Sequence, residues 1–102
     1  MTTVGGYHDQ LAAARTEIDR LDQEITALLV DRLRVSAQIG RIRKSMGTAE
    51  VGGHHRGGEV LARYRQAQVA LDEAGLITLE PIGLAVLEHS AQLQRRILGV
   101  TQ

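Results

Sequence analysis

Apolar residues recur every three or four positions through the first half of the chain, at Ala14, Ile18, Leu21, Ile25, Leu28, Val35, Ile39 and Ile42. That spacing marks one face of an α-helix. From Asp9 to Ser45 there is no Pro, and Gly40 is the one Gly. Asp9 is the expected N-cap, and residues 1–8 are expected to be a flexible lead-in to a domain at 9–102. The helix would run for about 37 residues, roughly 55 Å. A chain of 102 residues has too little other material to cover such a stripe, so dimerisation through this helix is expected.

The pattern breaks at residues 46–58, where five Gly in thirteen positions predict a loop. Helical spacing resumes near Glu59 and continues to about Glu73, with Val60, Leu61, Tyr64, Ala67 and Leu71 inward and Gly75 as terminator. A third helix is expected from about Thr78 to Leu98, with Pro81 in its first turn and Gly99 closing it. Its inward positions are Ile82, Val86, Leu87, Leu93 and Ile97. No strand alternation and no internal repeat is evident. The expected fold is all-α, with three helices per chain and a long first helix.

Composition narrows the function classes. There is no Cys, which excludes disulfides and thiolate metal sites. Two Tyr are the only aromatic residues, which counts against binding single-stranded nucleic acid by base stacking. No apolar run reaches the roughly 20 residues of a membrane span, so the expectation is a cytoplasmic protein without nucleic-acid or membrane partners. A domain of this size buries only about 65% of its unfolded surface, which again favours a partner chain. The net charge is zero but unevenly spread. Residues 1–31 hold six carboxylates against two Arg, whereas residues 32–65 hold seven Arg and one Lys against two carboxylates. The local excess of cations points to an anionic ligand.

Three arginines fall where apolar residues belong. A seam at heptad spacing runs through Leu11, Arg15, Ile18, Asp22, Ile25, Leu29, Arg32, Ser36, Ile39 and Arg43. A guanidinium held on a buried face needs compensation, since an unpaired buried charge costs several kcal/mol. Asp22 is available to one of the three. A bound carboxylate suits the others, because the planar arginine fork matches carboxylate geometry. Interhelical ion pairs and snorkelling side chains are the competing explanation. The third helix carries Ser90 and Gln94 at i, i+4 beside its apolar positions. His54 and His55 are adjacent, with no third ligand at suitable spacing, so no metal is expected. No Ser/His/Asp or Cys/His arrangement and no phosphate-cradling Gly motif is present. The sequence therefore offers a cation-rich polar pocket without an evident nucleophile.

The stretches Arg15-Thr-Glu-Ile-Asp-Arg-Leu-Asp22, Leu28-Leu-Val-Asp-Arg32 and Ile39-Gly-Arg-Ile-Arg43 resemble the first helix of the all-helical chorismate mutases. The resemblance continues at His55-Arg56, Val60-Leu-Ala-Arg-Tyr64 and Glu88-His-Ser90-Ala-Gln-Leu-Gln94, covering about residues 11–98. It implies an intertwined homodimer with two active sites and no cofactor. It also implies that Arg15 reaches into the partner's site and that Arg32 and Arg56 bind substrate carboxylates. Ser90 would contact a carboxylate. Arg43, where the family usually has Lys, would face the substrate's ether oxygen together with Gln94. The reaction is a Claisen rearrangement, which requires conformer selection and charge stabilisation rather than acid–base chemistry.

One departure bears on substrate choice. The family usually places a Glu directly after the loop arginine, in contact with the C4 substituent of the substrate ring; here Gly57 stands there, followed by Gly58. An Asp usual a few residues earlier is also missing, near Gly52 and Gly53. The substrate expected from the resemblance is therefore chorismate or 4-amino-4-deoxychorismate, the latter used in antibiotic-precursor pathways. An isochorismate pyruvate-lyase, or a non-catalytic ligand-binding or dimerisation module of the same fold, are the alternatives.

Overall fold

The computed structural model describes residues 4–48, 54–71 and 78–99, all in three helices and their flanks. They are α1 (Val4–Met46), α2 (His54–Leu71) and α3 (Glu80–Leu98). The described residues contain no strand. None of these helices is long and apolar enough to cross a membrane. By its contacts the chain divides into two units, Met1–Arg32 and Leu33–Gln102.

The first unit is helical from Val4, so α1 begins more than a turn before the expected cap. Tyr7 and His8 are helical rather than part of a lead-in, and Asp9 is an interior position. Once a helix exists, each added residue gains a hydrogen bond without paying again for nucleation, so weak formers extend it. Every residue from Tyr7 to Asp31 is exposed. Local pairs brace the polar side: Arg20 donates to Glu17 and to Glu24, each at 2.5 Å. The apolar stripe has no cover within this unit. Ile18 is 55% exposed, Ile25 53% and Leu28 67%.

The second unit comprises residues 33–46 of α1 together with α2 and α3. Glycines set its closest approaches. A Cβ on Gly83 would lie 2.8 Å from Cδ2 of Tyr64, so the Tyr64 ring of α2 rests directly on the α3 backbone. A Cβ on Gly40 would lie 3.3 Å from Cδ1 of Ile97, marking a similar approach of α1 and α3. Among the described residues Val60 is the buried large apolar side chain, 5% exposed. Val86, Leu87, Leu93 and Ile97 are half-buried as their spacing predicts. Leu71 and Ile82, expected inward, are exposed instead, as is Ala67. Helical phase alone places them on the apolar stripe, but α2 and α3 meet around Leu61, Tyr64 and Gly83 and leave the rest of that stripe uncovered.

The helix ends follow elementary rules. Gly47 (φ 77°) and Thr48 close α1: Gly47 N–H donates to Lys44 O and Thr48 N–H to Arg43 O, both at 3.1 Å. This pairing is a Schellman motif. Gly99 (φ 76°) closes α3 in the same left-handed conformation, with its N–H directed at the Arg95 and Arg96 carbonyls. Pro81 sits in the first turn of α3, where no backbone donor is needed. The N-cap residue Leu79 offers no side-chain cap, but its own N–H is taken by Gln68 Oε1 of α2 at 2.8 Å. Beside it Arg65 and Glu80 pair at 2.6 Å and tie α2 to α3. The hydrogen bond from Arg65 holds the Glu80 carboxyl below its ordinary range.

The expected loop is shorter at its far end. Helix α2 starts at His54, so Arg56, Gly57 and Gly58 lie in its first turns. Leu61 and Tyr64 must be helical to pack against Gly83 of α3, and the helix propagates back from that anchor despite the low propensity of glycine. The expected end of α2 at Glu73, its terminator Gly75, and the glycines at 52 and 53 lie outside the described residues.

Candidate functional site

Residues from α1 and α3 converge within the second unit. On α1, Ser36 and Arg43 are seven positions apart and share a face. On α3, Ser90 and Gln94 share a face through i, i+4 spacing. Ser36, Ser90 and Gln94 are 5%, 8% and 7% exposed, so the interior here is polar where an ordinary bundle would carry Leu or Val. Arg43 is half-buried.

These groups form a directed chain of hydrogen bonds. Arg43 Nη1 donates to Gln94 Oε1 at 2.5 Å. Gln94 Nε2 donates to Ser36 Oγ at 3.0 Å. Ser36 Oγ donates to the Ser90 carbonyl at 3.3 Å. Among the described residues no buried side-chain polar atom lacks a partner. The partner of Arg43 is a neutral amide, which accepts a hydrogen bond without cancelling the charge. Among the described residues no carboxylate is paired with Arg43. Its position in the last turn of α1 is favoured by the helix dipole. Arg43 thus remains a net positive group with further N–H donors beyond the one that Gln94 occupies.

The other expected site residues stand apart from this chain. Arg56, in the first turn of α2, is 62% exposed and lies 3.8 Å from Glu59. Gly57 is half-buried, and among the described residues a Cβ there would meet only Leu87 Cδ1, at 4.0 Å, and one at Gly58 nothing within 4 Å. Arg15 and Arg32 belong to the first unit. Arg15 was expected on or beside a buried face but is exposed in the single chain, because the first unit supplies nothing to cover that face; Arg32 is half-buried. Of the seven expected positions, the structure therefore joins Arg43 and Gln94 through their side chains and Ser90 through its backbone carbonyl. It adds Ser36, which sequence reasoning placed on the seam without giving it a role. The signal was present: Ser36 lies seven residues before Arg43, in phase with it.

Fold and site define a class first: an all-α protein whose buried polar face presents a cation that no carboxylate pairs with among the described residues. Comparison with known families then gives the membership. The model of chorismate mutase type II matches residues 14–95, most of the chain, and the protein belongs to that family. Membership makes it an isomerase of chorismate-mutase type. No curated protein and no solved structure matches significantly.

Proposed function

We propose that the protein catalyses the Claisen rearrangement of chorismate or of 4-amino-4-deoxychorismate, giving prephenate or its 4-amino analogue. The observation that carries this reading is the Arg43–Gln94 pair, linked onward through Ser36 to the Ser90 carbonyl and opposed by no carboxylate among the described residues. The reaction breaks one C–O bond while a C–C bond forms, and negative charge grows on the departing ether oxygen. Arg43 supplies a fixed positive charge for that oxygen. The second hydrogen on Gln94 Nε2 supplies a neutral donor. Donors already oriented need no rearrangement as charge develops, which is where electrostatic catalysis gains most.

Binding the substrate dianion falls to the remaining arginines. Arg32 and Arg56 are assigned to carboxylates, Ser90 to a carboxylate contact, and Arg15 to the site of a second copy. Arg56 sits at the positive end of the α2 dipole, which adds to the local attraction for an anion. The exposed stripe of Leu11, Ile18, Leu21, Ile25 and Leu28 on α1 supports a homodimer, because an isolated helix with an uncovered apolar face is marginal in water.

Gly57 supports the 4-amino branch. The family's Glu at this position is absent, yet the packing leaves room for a side chain, and Gly57 has no positive φ that demands glycine. The test offers chorismate, isochorismate and 4-amino-4-deoxychorismate in parallel and resolves products by mass. A rearranged product from the first or third supports the reading. Pyruvate release from isochorismate assigns a lyase instead, and binding without turnover assigns a non-catalytic module.

A further inference from the structure

The hydroxyl of Ser36 has one proton, and the structure commits it to the Ser90 carbonyl. Toward Gln94 it therefore presents only lone pairs. Arg43, on the other side of the amide, can only donate. Between a pure donor and a group left as acceptor, the Gln94 amide has one satisfied orientation: Oε1 to Arg43 and Nε2 to Ser36. The flipped amide would set N–H against N–H at one end and oxygen against lone pair at the other. Ser36 and Gln94 are both more than nine-tenths buried, so water is poorly placed to compensate.

We infer that Ser36 is a positioning residue: by accepting from Gln94 Nε2 while donating to the Ser90 carbonyl, it locks the Gln94 amide and, through it, the aim of the Arg43 guanidinium. This goes beyond the rearrangement proposed above and, for its effect on rate, rests on it. Three consecutive bonds running in one direction also polarise each other, which sharpens Gln94 Nε2 as a donor. With the hydroxyl removed, Gln94 keeps its place in the helix but loses the restraint that distinguishes its two ends.

The experiment reads the Gln94 side-chain amide directly, by its nitrogen-15 resonances and hydrogen exchange, alongside steady-state kinetics. Ser36→Ala is compared with the wild type. Ser36→Thr and Ser36→Val form a second pair, matched in volume and differing in the hydroxyl, in case the alanine variant does not fold. Loss of the hydroxyl is expected to shift the Gln94 amide signals and speed their exchange. It should lower kcat about ten-fold while KM moves less than about two-fold. Threonine should retain both properties relative to valine. In a Gln94→Ala background, Ser36→Ala should cause no further loss of kcat. Unchanged amide signals without the hydroxyl overturn the inference, and so does an equal kcat loss in the Gln94→Ala background. If the wild type rearranges none of the three substrates while the amide signals respond as stated, the mutase reading falls and the locking of Gln94 by Ser36 stands.

Discussion

A guanidinium paired with an amide behaves differently from one paired with a carboxylate. At Arg43 the positive charge is oriented but not cancelled, which leaves it available to an anion. Loss of a single preorganised donor at a developing oxyanion typically costs about 10²–10³-fold in kcat. Gln94→Ala is accordingly expected to lower turnover by about 10²-fold or more, measured by substrate disappearance with circular dichroism confirming the fold. Arg32→Ala is expected to fall by a similar factor of about 10², through lost affinity and orientation of the dianion. Near-normal rates in both variants would remove the basis for the assigned roles. At Gly57 the packing admits a larger side chain, so Gly57→Glu should fold normally. It should raise kcat/KM for chorismate relative to the 4-amino substrate; an unchanged ratio would detach C4 selectivity from this position.

Close approaches at glycines and the Arg65–Glu80 ion pair are among the contacts that join the elements. The α2–α3 contact leaves no volume at Gly83, where a Cβ would press on the Tyr64 ring at 2.8 Å. Overpacking of this kind costs roughly 1–3 kcal/mol. Gly83→Ala should therefore lower the melting temperature, against the usual gain from replacing a helical glycine by alanine. A rise in melting temperature would show that Tyr64 yields freely. The Arg65–Glu80 pair makes a pH-dependent contribution of defined sign. Because Arg65 depresses the Glu80 carboxyl, the folded state holds that proton less tightly than the unfolded chain does. The contribution is present above the ordinary carboxylate range and is lost as pH falls through the folded value. Wild type and Glu80→Gln should differ in melting temperature at neutral pH and converge in strong acid. The difference should be small, since both groups are solvent-exposed.

At the scale of the whole molecule, a polar cluster is buried while an apolar stripe lies open. Among the described residues the most buried side chains include two serines and a glutamine, while large aliphatic residues line the surface of α1. A second copy is the partner that this surface is proposed to meet. Ile25→Glu should then shift the protein toward monomer in sedimentation velocity, lower its helicity and abolish activity, because Arg15 would no longer reach a partner's site. A variant that keeps the wild-type mass and full turnover would exclude α1 as the interface.

Three helices, their order and the closure of α3 by Gly99 follow from the sequence alone, because helical periodicity and left-handed glycine caps are local properties. The cation excess and the in-phase positions of Arg43, Ser90 and Gln94 were equally legible, since a polar residue on an apolar stripe is visible without coordinates. The start of α2 at His54 was not, because tertiary anchoring at Leu61 and Tyr64 outweighs glycine propensity. Nor were the tight approach at Gly83 or the exposure of Ile82, which depend on where two helices meet. The role of Ser36 needed tertiary structure for the same reason. A hydroxyl is neutral to a helix pattern, and its meaning lies in a glutamine 58 positions away that only the packing of α1 against α3 brings within a hydrogen bond.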